Sequence, residues 1–356
     1  MAILKQISII GALMFLTTGC FTDFEPDIES TPVLCMNSTI TAGDSIAVLL
    51  THTWRWSDDT IKEKDLIVAD AEVMLYVNDE YQETLQFVEF PQDYYDPYLK
   101  EDRLFGYIST HKAQEGDRIR LTAHSDKYGD ASAEVTVPYR IDITKADYDI
   151  RQFNSLEEYR GTRYSMSLNT LIRFTDRMST TDYYQFRVSA HNPESYYLPG
   201  AEETGENRCS AYISYYKVDY DKEPLFTEHV SPLESAVSET SGYTIFSDRQ
   251  ISGKEYPLHI SIDNIQYYYN NPENNPELKT ASIDLHLDVI SRSYYNHVLS
   301  VWEHNDGING ILGDVGLADP VWDGSNVSTG AGVVAAKSTS TYKLYLQNIV
   351  EKEDGQ

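Results

Sequence analysis

Ser282-Ile283-Asp284-Leu285-His286-Leu287-Asp288-Val289 alternates polar and apolar side chains without a break. Directly after it, Tyr295, Val298, Leu299 and Trp302 recur at i, i+3, i+4 and i+7. A period of two places Ile283, Leu285, Leu287 and Val289 on one face of a strand, and a period near 3.6 makes the following stretch an amphipathic helix. Ser291 or Ser293 can cap that helix, and Asn305-Asp306-Gly307 stops it.

Working outward, the same two-residue period marks strands at 171–174, 184–190, 212–218 and 258–262. It appears again towards the N-terminus at 45–51, 71–77, 118–123 and 133–137. Turn chemistry separates them, as at Asn78-Asp79-Glu80 and Glu115-Gly116-Asp117. The sequence therefore predicts a mainly β protein. An N-terminal immunoglobulin-like or fibronectin-like antiparallel sandwich spans 33–138, closed by Pro138, and a larger antiparallel β domain with one packed helix spans 139–350. A polar tail, 351–356, follows.

The chain has 356 residues, with 56 Asp and Glu against 28 Lys and Arg, for a formal charge of −28. That field repels phosphate backbones and anionic lipid heads, which argues against nucleic-acid binding. Tyrosine is overused, at 28 against 11 Phe and 4 Trp. Paired tyrosines such as Tyr183-Tyr184 and Tyr294-Tyr295 suggest one core ring beside one wet ring in each pair.

The first residues read as an export signal. Lys5 precedes an apolar run from Ile7 to Leu16, and Thr17-Thr18-Gly19-Cys20 supplies a small-residue cleavage site. The run is too short to span about 30 Å of hydrocarbon. Thr18-Gly19-Cys20 resembles the bacterial lipobox, so residues 1–19 are expected to be a lipoprotein signal and Cys20 the acylated residue, with several acyl chains giving stable anchoring. Residues 20–32 then form an acidic tether carrying Asp23, Glu25, Asp27 and Glu29. Acids directly after the lipidated Cys resemble the signal that sends such proteins to the outer face of the outer membrane. The other cysteines, Cys35 and Cys209, could bridge the two halves of the chain or remain buried thiols.

Several stretches taken in order resemble one family. They are Val33-Leu34-Cys35-Met36-Asn37, the stretches at 45–53 and 69–76, the Gly116-Asp117-Arg118-Ile119-Arg120-Leu121 strand entry, and 131–138. At the far end stand Ser293-Tyr294-Tyr295-Asn296-His297 and Asp319-Pro320-Val321. Ser325-Asn326-Val327-Ser328-Thr329-Gly330-Ala331-Gly332-Val333-Val334 then follows. Together they resemble the family called domain of unknown function 4249 over nearly the whole mature chain. Val334-Ala335-Ala336 departs from it, since an aromatic residue is more usual there. The resemblance implies an outer-membrane lipoprotein of the Bacteroidota, often encoded beside a TonB-dependent transporter.

No Gly-x-Ser-x-Gly, His-Glu-x-x-His, P-loop or dinucleotide fingerprint occurs, so no catalytic residue, metal or cofactor is expected. Gly330-Ala331-Gly332 lacks the strand-to-helix setting of a phosphate loop and reads as a turn or bulge where a Cβ would clash. His297 and His304 share a helix face but lack a third ligand. The rings expected to meet a ligand or partner are Trp54, Trp56, Tyr94 and Tyr95. Asp59-Thr60-Ile61 and Asp44-Ser45-Ile46 match a short O-glycan acceptor pattern, with Thr60 the better placed than Ser45. The expectation is a non-enzymatic surface lipoprotein serving a TonB-dependent transporter in nutrient uptake. The alternatives are a stand-alone adhesin or envelope structural protein and, less favoured, a hydrolase built on scattered acids.

Overall fold

The computed structural model describes residues 31–54, 62–90, 104–158, 161–192, 211–220, 223–227, 244–269, 280–305 and 324–354. Residues 33–356 form one compact unit. Its strands are β1 (Leu34–Thr41), β2 (Ser45–His52), β3 (Glu72–Val77), β4 (Glu80–Thr84), β5 (Gln86–Glu89), β6 (Phe105–Lys112), β7 (Arg118–Ser125) and β8 (Gly129–Thr136). The second half adds β9 (Lys145–Glu158), β10 (Gly161–Thr175), β11 (Tyr183–His191), β12 (Ala211–Asp219), β13 (Ile245–Ser247), β14 (Glu255–Tyr269), β15 (Ser282–Ile290) and β16 (Val334–Tyr345). Two α-helices are described, α1 (Arg292–Asn305) and α2 (Leu346–Asp354).

An eight-stranded sheet in the order β13-β11-β15-β16-β1-β2-β6-β5 is the backbone of the molecule. Two four-stranded sheets, β12-β14-β10-β9 and β4-β3-β7-β8, cover one of its faces. The resulting sandwiches have separate cores. Leu34, Met36, Val48, Leu75, Leu121 and Val135 belong to one, while Leu168, Phe174, Phe186, Ile262, Leu285 and Leu287 belong to the other. The changeover falls at Pro138, with Val137 in the first core and Ile141 in the second. The mainly β architecture with a packed helix is as the sequence predicts.

β15 is the strand expected from its alternation, with Ile283, Leu285, Leu287 and Val289 all within 1% of full burial. Helix α1 begins after Ser291, whose carbonyl accepts from Tyr295 N at 3.0 Å and whose hydroxyl lies 3.3 Å from Tyr294 N. It packs Tyr295, Val298 and Leu299 against Ile245, Ile290 and Tyr183 on the other face of the large sheet. The hairpin turn joining β3 to β4 puts Asn78 and Asp79 at φ 54° and 70°, as the primed turn of a tight hairpin demands.

Two features depart from the sequence reading. β1 and β16 pair in parallel, Ser38 opposite Val334 and Thr41 opposite Lys337, within a fold otherwise expected to be antiparallel. The cause is the Gly330–Gly332 segment, where Met36 N donates to Ala331 O and Ala331 N to Leu34 O, each at 2.8 Å, so that β16 starts alongside β1. A Cβ at Gly332 would lie 2.3 Å from Met36 O, and φ there is +103°, so the approach requires glycine. The second departure is α2. Leu346, Ile349 and Val350 fall at i, i+3 and i+4 and are buried in the second core, which makes 351–354 the end of a helix rather than a tail.

Candidate ligand-binding face

The large sheet presents two faces, and strand alternation decides what each carries. Val334, Ala336 and the apolar residues of β15 point into the cores, so Ala335, Lys337, Thr339 and Thr341 of β16 point to the α1 side. Asp284, His286 and Asp288 of β15 share that side, as do Gln185, Arg187 and Ser189 of β11. The polar half of the stretch that decides the fold therefore becomes a row of chemistry on the sheet.

Asp288 is the centre of the row and is fully buried. Arg187 Nε and Nη2 donate to its carboxylate at 2.7 and 3.1 Å, and the Thr339 hydroxyl donates at 2.6 Å. Lys337 Nζ stands 3.7 Å away, beyond hydrogen-bond distance. Burial alone would raise the Asp288 carboxyl. The Arg187 hydrogen bonds, the Lys337 charge and the Thr339 hydroxyl outweigh it and hold the group below its ordinary range. Burial, helped by the Arg187 charge, pulls Lys337 down despite the Asp288 charge.

His286 lies between Ser189 Oγ, 2.8 Å from Nε2, and Thr341 Oγ1, 2.9 Å from Nδ1. A serine hydroxyl on an imidazole is half of a hydrolytic triad, but the partner on the other nitrogen is a neutral hydroxyl rather than a carboxylate. Burial and then the Arg187 charge lower the His286 pKa. With its pKa lowered and no carboxylate on Nδ1 to stabilise the imidazolium, the ring is a poor store for a proton in acyl transfer, and we read the pair as a polar tie between strands.

Beside this row lies a cavity of about 490 Å³. Its floor is Thr39, Ala47 and Ala335, while Tyr294 and Val298 of α1 form one wall and Phe90 with Leu104 line another part. Asn37 and Ser38 also border it but are engaged within the sheet: Asn37 Oδ1 accepts from Val333 N at 3.1 Å, and Ser38 Oγ donates to Ala47 O at 2.7 Å. Tyr294 links cavity to charge, its hydroxyl donating to Gln185 Oε1 at 3.0 Å. Its phenol is raised first by burial and then by the Asp288 charge.

A second constellation stands in the turns at one end of the second sandwich. The buried carboxylates of Asp176, Asp182 and Asp248 offer oxygens all within 4.8 Å of one another. Such a trio is the donor set of a hard cation. Each is nonetheless already held by protein donors. Asp176 accepts from the Tyr184 hydroxyl and from Gly253 N at 2.8 Å, and Asp182 from Arg177 Nε at 3.1 Å and Thr180 Oγ1 at 2.6 Å. Asp248 accepts from Asp182 N at 2.9 Å. We read it as a clasp joining the 176–182 turn to the 248–253 turn. Burial, with the neighbouring carboxylates behind it, raises Asp248.

Of the residues singled out in the sequence, Trp54 is 54% exposed just after β2, and Ser45 opens β2 opposite Lys112. Cys20, Trp56, Thr60, Tyr94, Tyr95 and Cys209 lie outside the described residues. Cys35 is a half-buried free thiol. On β11 Tyr184 is the core ring expected of its pair, but Tyr183 is not a wet one: it is half-buried against Tyr295 of α1. Neither Arg187, His286, Asp288 and Lys337 nor the aspartate trio was singled out. The polar alternation of β15 was the available signal for the first group. The trio, split between two turns about 70 residues apart, left none.

The closing signature found in the sequence has a structural job. Asn326 Nδ2 donates to Val334 O and Asn326 Oδ1 accepts from Val334 N, both at 2.9 Å, so one side chain stands in for a strand at the start of β16. Ser325 Oγ donates to Gly332 O at 2.7 Å and pins the glycine turn. The profile described as Domain of unknown function (DUF4249) matches residues 22–343. The chain belongs to this family. No curated protein and no solved structure matches it. In this DUF4249 chain, no helix among the described residues is long and apolar enough to cross a membrane.

Proposed function

We propose that this DUF4249 chain is a lipid-anchored protein on the outer face of the outer membrane, serving a TonB-dependent transporter as a ligand-binding or accessory subunit in uptake. The observation that carries the reading is the run from Lys5 to Cys20 followed by Asp23, Glu25, Asp27 and Glu29, an export signal ending in an acylatable cysteine with an acidic tether behind it. A rigid double sandwich with a helix-walled cavity on its sheet supports binding more than turnover. The polar groups beside the cavity are bonded to one another, which suits a scaffold holding a shape and gives no poised nucleophile.

The test is fractionation and capture. A tagged full chain should sediment with outer membrane and, in mild detergent, bring down a large β-barrel protein in near-stoichiometric amount. Cys20→Ser should release it to the soluble fraction. Membrane retention of that variant at the wild-type level would overturn the anchor, and recovery of the chain alone would overturn the transporter partnership.

A further inference from the structure

We propose that the cavity under α1, together with the Lys337 ammonium beside it, is a binding site for a small amphipathic carboxylate with an acyl-like apolar body. This deepens the ligand-binding role proposed above and rests on that reading.

The volume, about 490 Å³, falls within the roughly 300–1,000 Å³ usual for small-molecule sites. Ala47, Leu49, Val298 and Ala335 give it apolar surface, and Asn37 and Ser38 spend their hydrogen bonds on the protein. Thr39, Tyr294 and His297 bring the remaining polar side chains, and the Tyr294 hydroxyl is committed to Gln185, so a sugar, which needs a fan of donors and acceptors, is poorly served by such walls. A peptide recruited by strand addition is excluded for another reason: the floor strands β16, β1 and β2 are interior strands, paired on both sides, and offer no backbone edge.

Charge then selects the head group. Asp288 is satisfied by two bonds from Arg187 and one from Thr339, leaving Lys337 as a second cation around a single carboxylate. Its neighbours on the sheet are Thr41, opposite in β1, and Ile290, opposite in β15. Neither is an anion, and apart from Asp288 the acidic group acting on the ammonium is Asp44, the weakest of the influences on it. Lys337 follows the cavity-floor residue Ala335 by two positions on the same face, a step of about 6.6 Å along a strand. An apolar tail in the cavity thus brings a carboxylate within reach of the ammonium, along the sheet from the wall that Tyr294 supplies. The net charge of −28 opposes approach of any anion, so selectivity must come from this local contact and not from long-range steering.

Calorimetric titration of the full chain carrying Cys20→Ser with dodecanoate, below its micelle-forming concentration, tests the site without membrane, detergent or transporter. One equivalent should bind, and dodecyltrimethylammonium, with the same tail and a cationic head, should bind at least tenfold more weakly. Lys337→Gln should cost at least tenfold in dodecanoate affinity, about 1.4 kcal/mol, while Lys337→Arg retains most of it. Val298→Trp should fill the cavity and abolish binding, with Ala47→Phe as a second obstruction should the first fail to fold by circular dichroism. Equal affinity for the two head groups, an unaltered Kd in Lys337→Gln, or no binding at all would overturn the proposal. Because the titration contains no transporter, its failure leaves the capture experiment standing, and the reverse.

Discussion

Asp288→Asn is the substitution that most directly probes how the sheet holds its charges. The carboxylate has no exposed surface and receives Arg187 at 2.7 and 3.1 Å and Thr339 at 2.6 Å, with Lys337 at 3.7 Å. Asparagine keeps the shape but removes the charge, leaving Arg187 and Lys337 unneutralised beside each other and turning an NH2 towards donors. Breaking a buried pair on one side costs about 3–5 kcal/mol, and because Arg187 is 39% exposed the low end applies, about 3 kcal/mol. The sign with pH follows from the depressed carboxyl. Its contribution is present above the unfolded carboxylate pKa, about 3.9, and is lost as pH falls through the lower folded value. Urea unfolding at pH 7 should therefore show a midpoint well below wild type at unchanged slope, and the two proteins should draw together on acidification below pH 4. A second variant separates charge from shape: Asp288→Leu with Arg187→Met and Lys337→Met removes every charge of the group and should recover part of the loss. A loss under about 1 kcal/mol for Asp288→Asn, or one that is constant from pH 7 to pH 3, would refute the reasoning.

Gly332→Ala combines positive φ with a Cβ 2.3 Å from Met36 O and should cost about 3 kcal/mol or more in urea unfolding. Gly43→Ala, also at positive φ but with nothing within 4 Å, should cost about 1 kcal/mol. Equal costs at the two positions would deny that the β1–β16 approach depends on glycine. Asp248→Asn should stabilise at neutral pH: the raised carboxyl loses folding stability as pH climbs from the unfolded to the folded pKa, and Asn removes that loss while its amide oxygen still accepts from Asp182 N. Wild type and variant should converge near pH 3, and a variant less stable than wild type at pH 7 would count against a carboxyl raised by burial and its acidic neighbours.

What the sequence disclosed depended on whether the signal was local. β15 and α1 were legible because their periods are carried by consecutive residues, and the turns at Asn78-Asp79 and Gly116 because backbone geometry selects the residue type. The parallel pairing of β1 with β16 was not, since it joins residues about 300 positions apart, although the glycines that permit it were recognised as a place where a Cβ would clash. α2 was missed because three buried apolar residues in an otherwise polar nine-residue segment make a faint pattern. The Arg187–Asp288–Lys337 group escaped for a related reason. Each charge sits on a polar-face position of its own strand, indistinguishable there from a solvated residue, and only sheet order brings the three together.

That order has a further consequence for how the molecule holds itself as one unit. β16 enters the first core through Val334 and Ala336, then runs on into the second through Leu344. Its backbone pairs with β1 on one side and β15 on the other, and Ser338 Oγ donates to Pro138 O where the chain passes from one sandwich to the next. Ser340 Oγ accepts from Ile143 N at 3.0 Å just beyond. One strand from the far end of the chain therefore completes both hydrophobic layers and fastens the connection between them. A first sandwich lacking β16 would expose the core face of β1 and leave its edge unpaired, which costs apolar burial and offers a template for association. The same strand, on its other face, carries Ala335 and Lys337. The element that makes the fold indivisible is thus the one that sets the cavity floor against its cation, and the rigidity a preorganised site needs comes from the strand most strongly tied into both cores.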